Sequence, residues 1–192
     1  SKAFGIESDE KVLKDLGLNP NLKTVTIFMG SLGSSSVNEK LIDFFKLLDG
    51  SYQVVYATGK LHYETTINRV KQTDYLKIFE RIDGAKLMKN STLLVSRAGA
   101  TTLSEIQAIG TPSILIPSPY VPNNHQYHNG MALVDKGAAL MIEEKDLTPQ
   151  VLYERIGGII NDDKKLKQLS ENAIKMCNPN VLKDMIEAIE SI

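Results

Sequence analysis

Short β-branched or apolar runs alternate along this chain with longer stretches whose apolar positions recur every three or four residues. Six runs read as strands: Thr24–Met29, Gln53–Ala57, Tyr75–Phe79, Leu93–Ser96, Ser113–Ile116 and Ala138–Ile142. The spacing between them predicts helices over Asp9–Leu16, Val37–Leu48, around Tyr63–Lys71, over Ala85–Lys89 and from about His125 to Lys136. In Val37–Leu48, residues Leu41, Ile42, Phe45 and Leu48 share one face, and Ser36 and Glu39 have capping-box spacing. Thr148 followed by Pro149 reads as an N-cap with proline at the first helical position, opening a helix to Ile160. Amphipathic helices over Asp162–Met176 and Val181–Ile192 are expected to complete the chain. Strands separated by helices throughout predict an α/β fold, a parallel sheet of about six strands with helices on both faces. No repeat, low-complexity tract or linker breaks the pattern, so residues 1–192 read as one domain.

The densest part of the pattern is Leu93–Gly110 with Thr111–Pro117 directly behind it. A buried strand runs into Gly99, Leu103, Ile106, Gln107 and Ile109 follow near helical spacing, Gly110 closes the helix, and a second buried strand returns. In this minimal βαβ unit the helix opens with hydroxyls and free N–H groups at the carboxyl end of a parallel strand. Such a terminus is a site for an anion, a diphosphate for example.

Composition narrows the function. Of 192 residues 42% are hydrophobic, and 22 basic against 23 acidic residues leave a net charge of −1. No basic stripe stands out, which argues against nucleic acid as a partner. Cys177 is the single cysteine, so no internal disulfide forms, and the chain suits a reducing cytoplasm. An apolar run of about 18 residues and a signal pattern are both lacking, so neither membrane spanning nor export is expected.

Three clusters carry candidate chemistry. Gly30-Ser31-Leu32-Gly33-Ser34 lies between a strand and a helix. It is neither a Walker loop nor a full GxGxxG fingerprint, and reads equally as a phosphate-approaching loop or an ordinary tight turn. Thr102 and Glu105 fit a capping box, stabilising by about 0.5–2 kcal/mol without any ligand. The same spacing serves a phosphate at the hydroxyl and a ribose diol at the carboxylate. His125, Gln126 and Asn129 open the next helix with amide and imidazole groups suited to sugar hydroxyls, or form a solvated helix start. His62, His125 and His128 have no carboxylate or thiol at ligand spacing, so no metal is expected. No nucleophile with an activating pattern is visible, and no catalytic group is assigned to this chain.

Ser96-Arg-Ala-Gly-Ala-Thr-Thr-Leu-Ser-Glu-Ile106, Gly110-Thr-Pro112, Ile116-Pro117, Asn124-His-Gln-x-x-Asn129 and Gly137-Ala-Ala139 follow one another as in the donor-site signature of MurG-type glycosyltransferases. The chain resembles this family from about Thr24 to Ile192. The resemblance implies a Rossmann-like fold, the C-terminal half of a two-domain GT-B enzyme. That enzyme moves N-acetylglucosamine from UDP-N-acetylglucosamine to lipid I, forming lipid II for peptidoglycan. It also implies roles. Ser31 would lie near the diphosphate or sugar, and Ile82 would meet uracil through its backbone. Ala100, Thr101 and Thr102 would line the diphosphate, Glu105 would hold the ribose, and His125, Gln126 and Asn129 would face the sugar. The family's usual first loop is Gly-Gly-Ser-Gln-Gly-Ala, and Leu32 here replaces an amide. The acceptor domain, with its proposed histidine base and membrane-facing patch, is expected outside this chain. The whole enzyme would sit peripherally on the cytoplasmic face of the membrane, with no cofactor beyond the donor. Two alternatives keep the fold: a separate subunit of a split UDP-N-acetylglucosamine transferase docking on a membrane partner, and a non-catalytic nucleotide-sugar sensor.

Overall fold

Six parallel strands form one sheet in a computed structural model that describes residues 7–30 and 33–177. They are β1 (Thr24–Phe28), β2 (Gln53–Ala57), β3 (Leu76–Phe79), β4 (Leu93–Ser96), β5 (Ser113–Leu115) and β6 (Leu140–Met141). The order is β3-β2-β1-β4-β5-β6. Val25 pairs with Val54 on one side and with Leu93 on the other, so β1 lies at the centre.

Side chains alternate faces along a strand, and both faces of this sheet are covered, which is why the strands read as nearly unbroken apolar runs. Val25, Ile27, Val54, Tyr56, Leu93, Val95 and Ile114 belong to one core. It is covered by α2 (Ser35–Phe45) through Val37, Leu41, Ile42 and Phe45, and by α7 (Pro149–Ile160) through Leu152, Ile156 and Ile160. Leu94 and Leu115 face the other way. They meet Leu103, Ile106 and Ile109 of α5 (Ala100–Ile109), Leu133 of α6 (His125–Val134) and Ala173 of α8 (Asp163–Lys175). A smaller cluster joins Val55 to Leu13 of α1 (Lys11–Asp15) and Leu87 of α4 (Gly84–Lys89). The remaining helix, α3 (Tyr63–Arg69), packs against α2 and β3.

Helix α2 leaves β1 toward one face, and α5 leaves β4 toward the other. Two adjacent parallel strands whose exits diverge open a crevice at their carboxyl ends, where ligands of doubly wound sheets bind.

Element ends moved where local chemistry differs from spacing. The Ser36–Glu39 capping box does not form: α2 begins at Ser35, with Ser34 at the N-cap making no side-chain cap bond. Glu39 instead pairs with Arg69 Nη1 at 2.7 Å. The last strand shrinks to Leu140–Met141, and Ala138 N–H instead donates to the Leu133 carbonyl at 2.8 Å, closing α6. Thr148 does cap α7, accepting from Val151 N–H at 3.1 Å, and Asp162 likewise accepts from Lys165 N–H at 2.9 Å to cap α8. The expected helix over Val181–Ile192 lies outside the described residues.

Candidate functional site

The crevice between β1 and β4 holds two joined cavities. The larger, about 700 Å³, runs between the glycine loop (Gly30, Gly33 to Ser36), the β4–α5 turn (Arg97, Gly99, Thr102) and the segment after β5 (Ser118, Tyr120, Val121, Gln126). The smaller, about 370 Å³, is walled by Phe28, Ala57, Gly59, Glu80, Arg81, Ile82 and Gly84. Gly30 and Thr102 line both, so Thr102 stands at the junction. One end is bounded by Phe28 and Ile82 and suits a flat base. The other is bounded by hydroxyls, amides and backbone N–H groups and suits phosphate and sugar.

Two helix N-termini open into the larger cavity, and neither carries a side-chain cap. Helix α5 starts after Gly99 with no capping bond, so Thr102 and Glu105 form no capping box. Thr102 lies inside the first turn rather than before it, with Ala100 and Thr101 exposed beside it. At α2, Ser34 Oγ accepts from Arg97 Nη2 at 2.6 Å instead of capping the helix. Among the described residues no side chain accepts from the leading N–H groups of either helix, which stand at the positive ends of their dipoles. By contrast, Asp83, Thr148 and Asp162 cap α4, α7 and α8.

The glycine loop is held tightly from behind. Gly33 has φ 79°, and a Cβ there would collide with the Thr58 carbonyl oxygen and lie 2.5 Å from His62 Cδ2. Ser31, expected near the diphosphate or sugar, lies with Leu32 outside the described residues.

Glu105 sits half-buried one helical turn beyond Thr102. Burial lifts its carboxyl above the usual carboxylate range, and the nearby Asp83 carboxylate adds to the rise. Asp83 adjoins Ile82, so Glu105 lies on the side of the smaller cavity, although it lines neither cavity.

Gln126 lines the larger cavity and is oriented by Ser118 N–H, which donates to Gln126 Oε1 at 2.9 Å. Its amide nitrogen is left to donate elsewhere. His125 and Asn129 are exposed on α6 and do not wall the cavity, and His125 Nδ1 lies 3.1 Å from the Pro122 carbonyl oxygen. The structure therefore gathers Ile82, Thr102 and Gln126 on the cavity walls, with Ala100, Thr101 and Glu105 along α5. It leaves His125 and Asn129 at the rim.

Sequence reasoning missed several residues. Arg97 is buried at the end of β4, with Nη1 2.6 Å from Glu144 Oε2 and donating to the Ile116 carbonyl at 3.1 Å. Tyr120 is 80% exposed at the cavity mouth. Arg97 had one available signal, a charged residue directly after a buried strand. Glu144, 108 residues beyond Ser36, had none.

This arrangement can be set beside known proteins. A model described as the glycosyltransferase family 28 C-terminal domain matches residues 24–187. The chain belongs to this family. A UDP-N-acetylglucosamine–N-acetylmuramyl-(pentapeptide) pyrophosphoryl-undecaprenol N-acetylglucosamine transferase of Pediococcus pentosaceus is 37% identical over 185 residues, covering 94% of this chain. The enzyme of the same name from Acetivibrio thermocellus is 38% identical over 190 residues, covering 96%. The family 28 chain spans about half the length of these relatives, 51% and 52%. Among solved structures, Acinetobacter baumannii MurG superposes with TM-score 0.82 at 24% identity, over 99% of this chain and 55% of that one. The glycosyltransferase VinC, solved in complex with dTDP, superposes with TM-score 0.67 at 18% identity, over 90% and 43%. Both likenesses are of fold.

Proposed function

We propose that this chain is the donor-binding half of an inverting transferase that moves N-acetylglucosamine from UDP-N-acetylglucosamine to lipid I, yielding lipid II. The observation that carries the reading is the pair of joined cavities that meet at Thr102, at the switch point of a family 28 fold. Uracil enters the smaller cavity against the backbone of Ile82, and Glu105 accepts hydrogen bonds from the ribose hydroxyls. Ala100, Thr101 and Thr102, with the open N-termini of α2 and α5, surround the diphosphate. Gln126 meets the sugar directly, and His125 and Asn129 serve a ligand that extends beyond it.

In the reaction the 4-hydroxyl of the muramyl sugar attacks the anomeric carbon. The new C–O bond forms as the bond to the β-phosphate oxygen breaks, and the proton goes to a base in the acceptor half, outside this chain. Helix-terminal amides and hydroxyls stabilise the charge that develops on departing UDP. The relatives' length beyond this chain accommodates that half, and their names supply the acceptor. A peripheral position on the cytoplasmic face follows from a lipid-linked acceptor. No helix among the described residues is long and apolar enough to cross a membrane.

The test is Glu105→Ala in the intact transferase. The donor Michaelis constant is expected to rise by roughly tenfold or more, as a charged hydrogen-bond acceptor is worth about 1.5–3 kcal/mol. An unchanged constant removes the ribose role.

A further inference from the structure

The buried ion pair behind the crevice has no part in the donor contacts above. Glu144 lies in the turn after β6 and is only 7% exposed, and Arg97 only 8%. Glu144 Oε1 accepts a hydrogen bond from Ser36 in the first turn of α2. Its backbone carbonyl accepts from Lys40 Nζ at 2.8 Å, one turn further along. Glu144 Oε2 lies 2.6 Å from Arg97 Nη1 but receives no well-directed hydrogen bond, so this contact is an ion pair off the N–H axis. Arg97 in turn reaches Ser34 Oγ and the Ile116 carbonyl oxygen. One carboxylate therefore ties β6 to both walls of the larger cavity: the glycine loop with the start of α2, and the β4–α5 turn.

Stability alone is a poor reason for such a pair, because desolvating two charges costs about as much as their attraction returns. Its geometry supplies a better one. Ser34, Ser36 and Arg97 line the cavity, whereas Glu144 does not. A group that holds cavity walls without touching the ligand acts by fixing the distance between the two helix N-termini, which must converge on one anion.

We propose that Glu144 is a positioning residue for the β-phosphate end of the site, acting through Ser36 and Arg97. The proposal rests on the donor-binding reading. It adds that preference for a diphosphate over a monophosphate is set from behind the cavity.

The experiment titrates the full chain with UDP and with UMP, as wild type and as Ser36→Ala, Ser36→Thr and Glu144→Gln. Ser36→Ala removes the hydroxyl from a partly exposed position and is expected to fold. The UDP-over-UMP affinity ratio is expected to drop on the order of tenfold in Ser36→Ala and Glu144→Gln, the size of effect common for coupled positions. It is expected to return in Ser36→Thr, which restores the hydroxyl. A ratio unchanged in Glu144→Gln or in Ser36→Ala, or UDP and UMP weakened in equal proportion, overturns the proposal and leaves the pair a purely structural contact. Wild type that binds neither ligand overturns the donor-binding reading itself, and this proposal with it.

Discussion

At Glu105 folding and binding ask opposite things of one carboxyl. Burial and Asp83 raise its pKa, so the folded chain holds the proton more tightly than the unfolded chain. Stability then declines as pH rises from the ordinary carboxyl value through the raised one, and the deficit is complete above it. Glu105→Gln is therefore expected to melt no lower than wild type at neutral pH, and to bind UDP less well. Thermal melts paired with titration check both halves. In wild type, UDP affinity should fall as pH is lowered through the raised value, because a protonated carboxyl loses acceptor capacity; the Gln variant should lose that component. Gly33 makes a second demand at this scale. Its φ of 79° and the crowding of Thr58 and His62 leave no place for a methyl group. Gly33→Ala should cost more than about 1 kcal/mol and displace the glycine loop, read as a lower Tm together with weaker UDP binding.

Helix α5 carries the site on an apolar underside. Leu103, Ile106 and Ile109 are buried beneath Thr102 and Glu105. Ile106→Ala is expected to cost about 2–5 kcal/mol, lowering Tm by roughly 2–4 °C per kcal/mol in a chain of this size. Helix α6 depends on close approach: a Cβ on Gly130 would lie 2.6 Å from Met141 Cε and 3.2 Å from Ala98 Cβ. These elements were legible in the sequence because burial on both faces leaves a dense apolar signal. Their ends were less so. Ser36-x-x-Glu39 and Thr102-x-x-Glu105 both have capping-box spacing, yet neither helix starts where that spacing puts it: α5 starts a turn early, after Gly99, and at α2 tertiary partners claimed the side chains. Glu144 took Ser36, and Arg69 took Glu39. Spacing along a chain cannot report a partner 108 residues away.

For the molecule as a whole, alternating strands and helices implied a parallel sheet but not its order. Placing β1 against both β2 and β4 is a tertiary choice, and that choice creates the crevice. The order matters more than any single motif, because it brings Gly30, Thr102 and Gln126 to one place from three separate segments. In the proposed reading the two joined cavities of that crevice hold a nucleotide sugar, and the relatives extend well beyond the half that this chain matches. The most direct test is calorimetric titration of the full chain with UDP-N-acetylglucosamine, UDP-N-acetylgalactosamine and UDP. Saturable binding that favours the N-acetylglucosamine donor is the expected result, and Gln126→Ala should narrow that preference. Equal binding of all three would contradict the assignment of sugar recognition to this half, and no binding of any would contradict the donor-site account altogether.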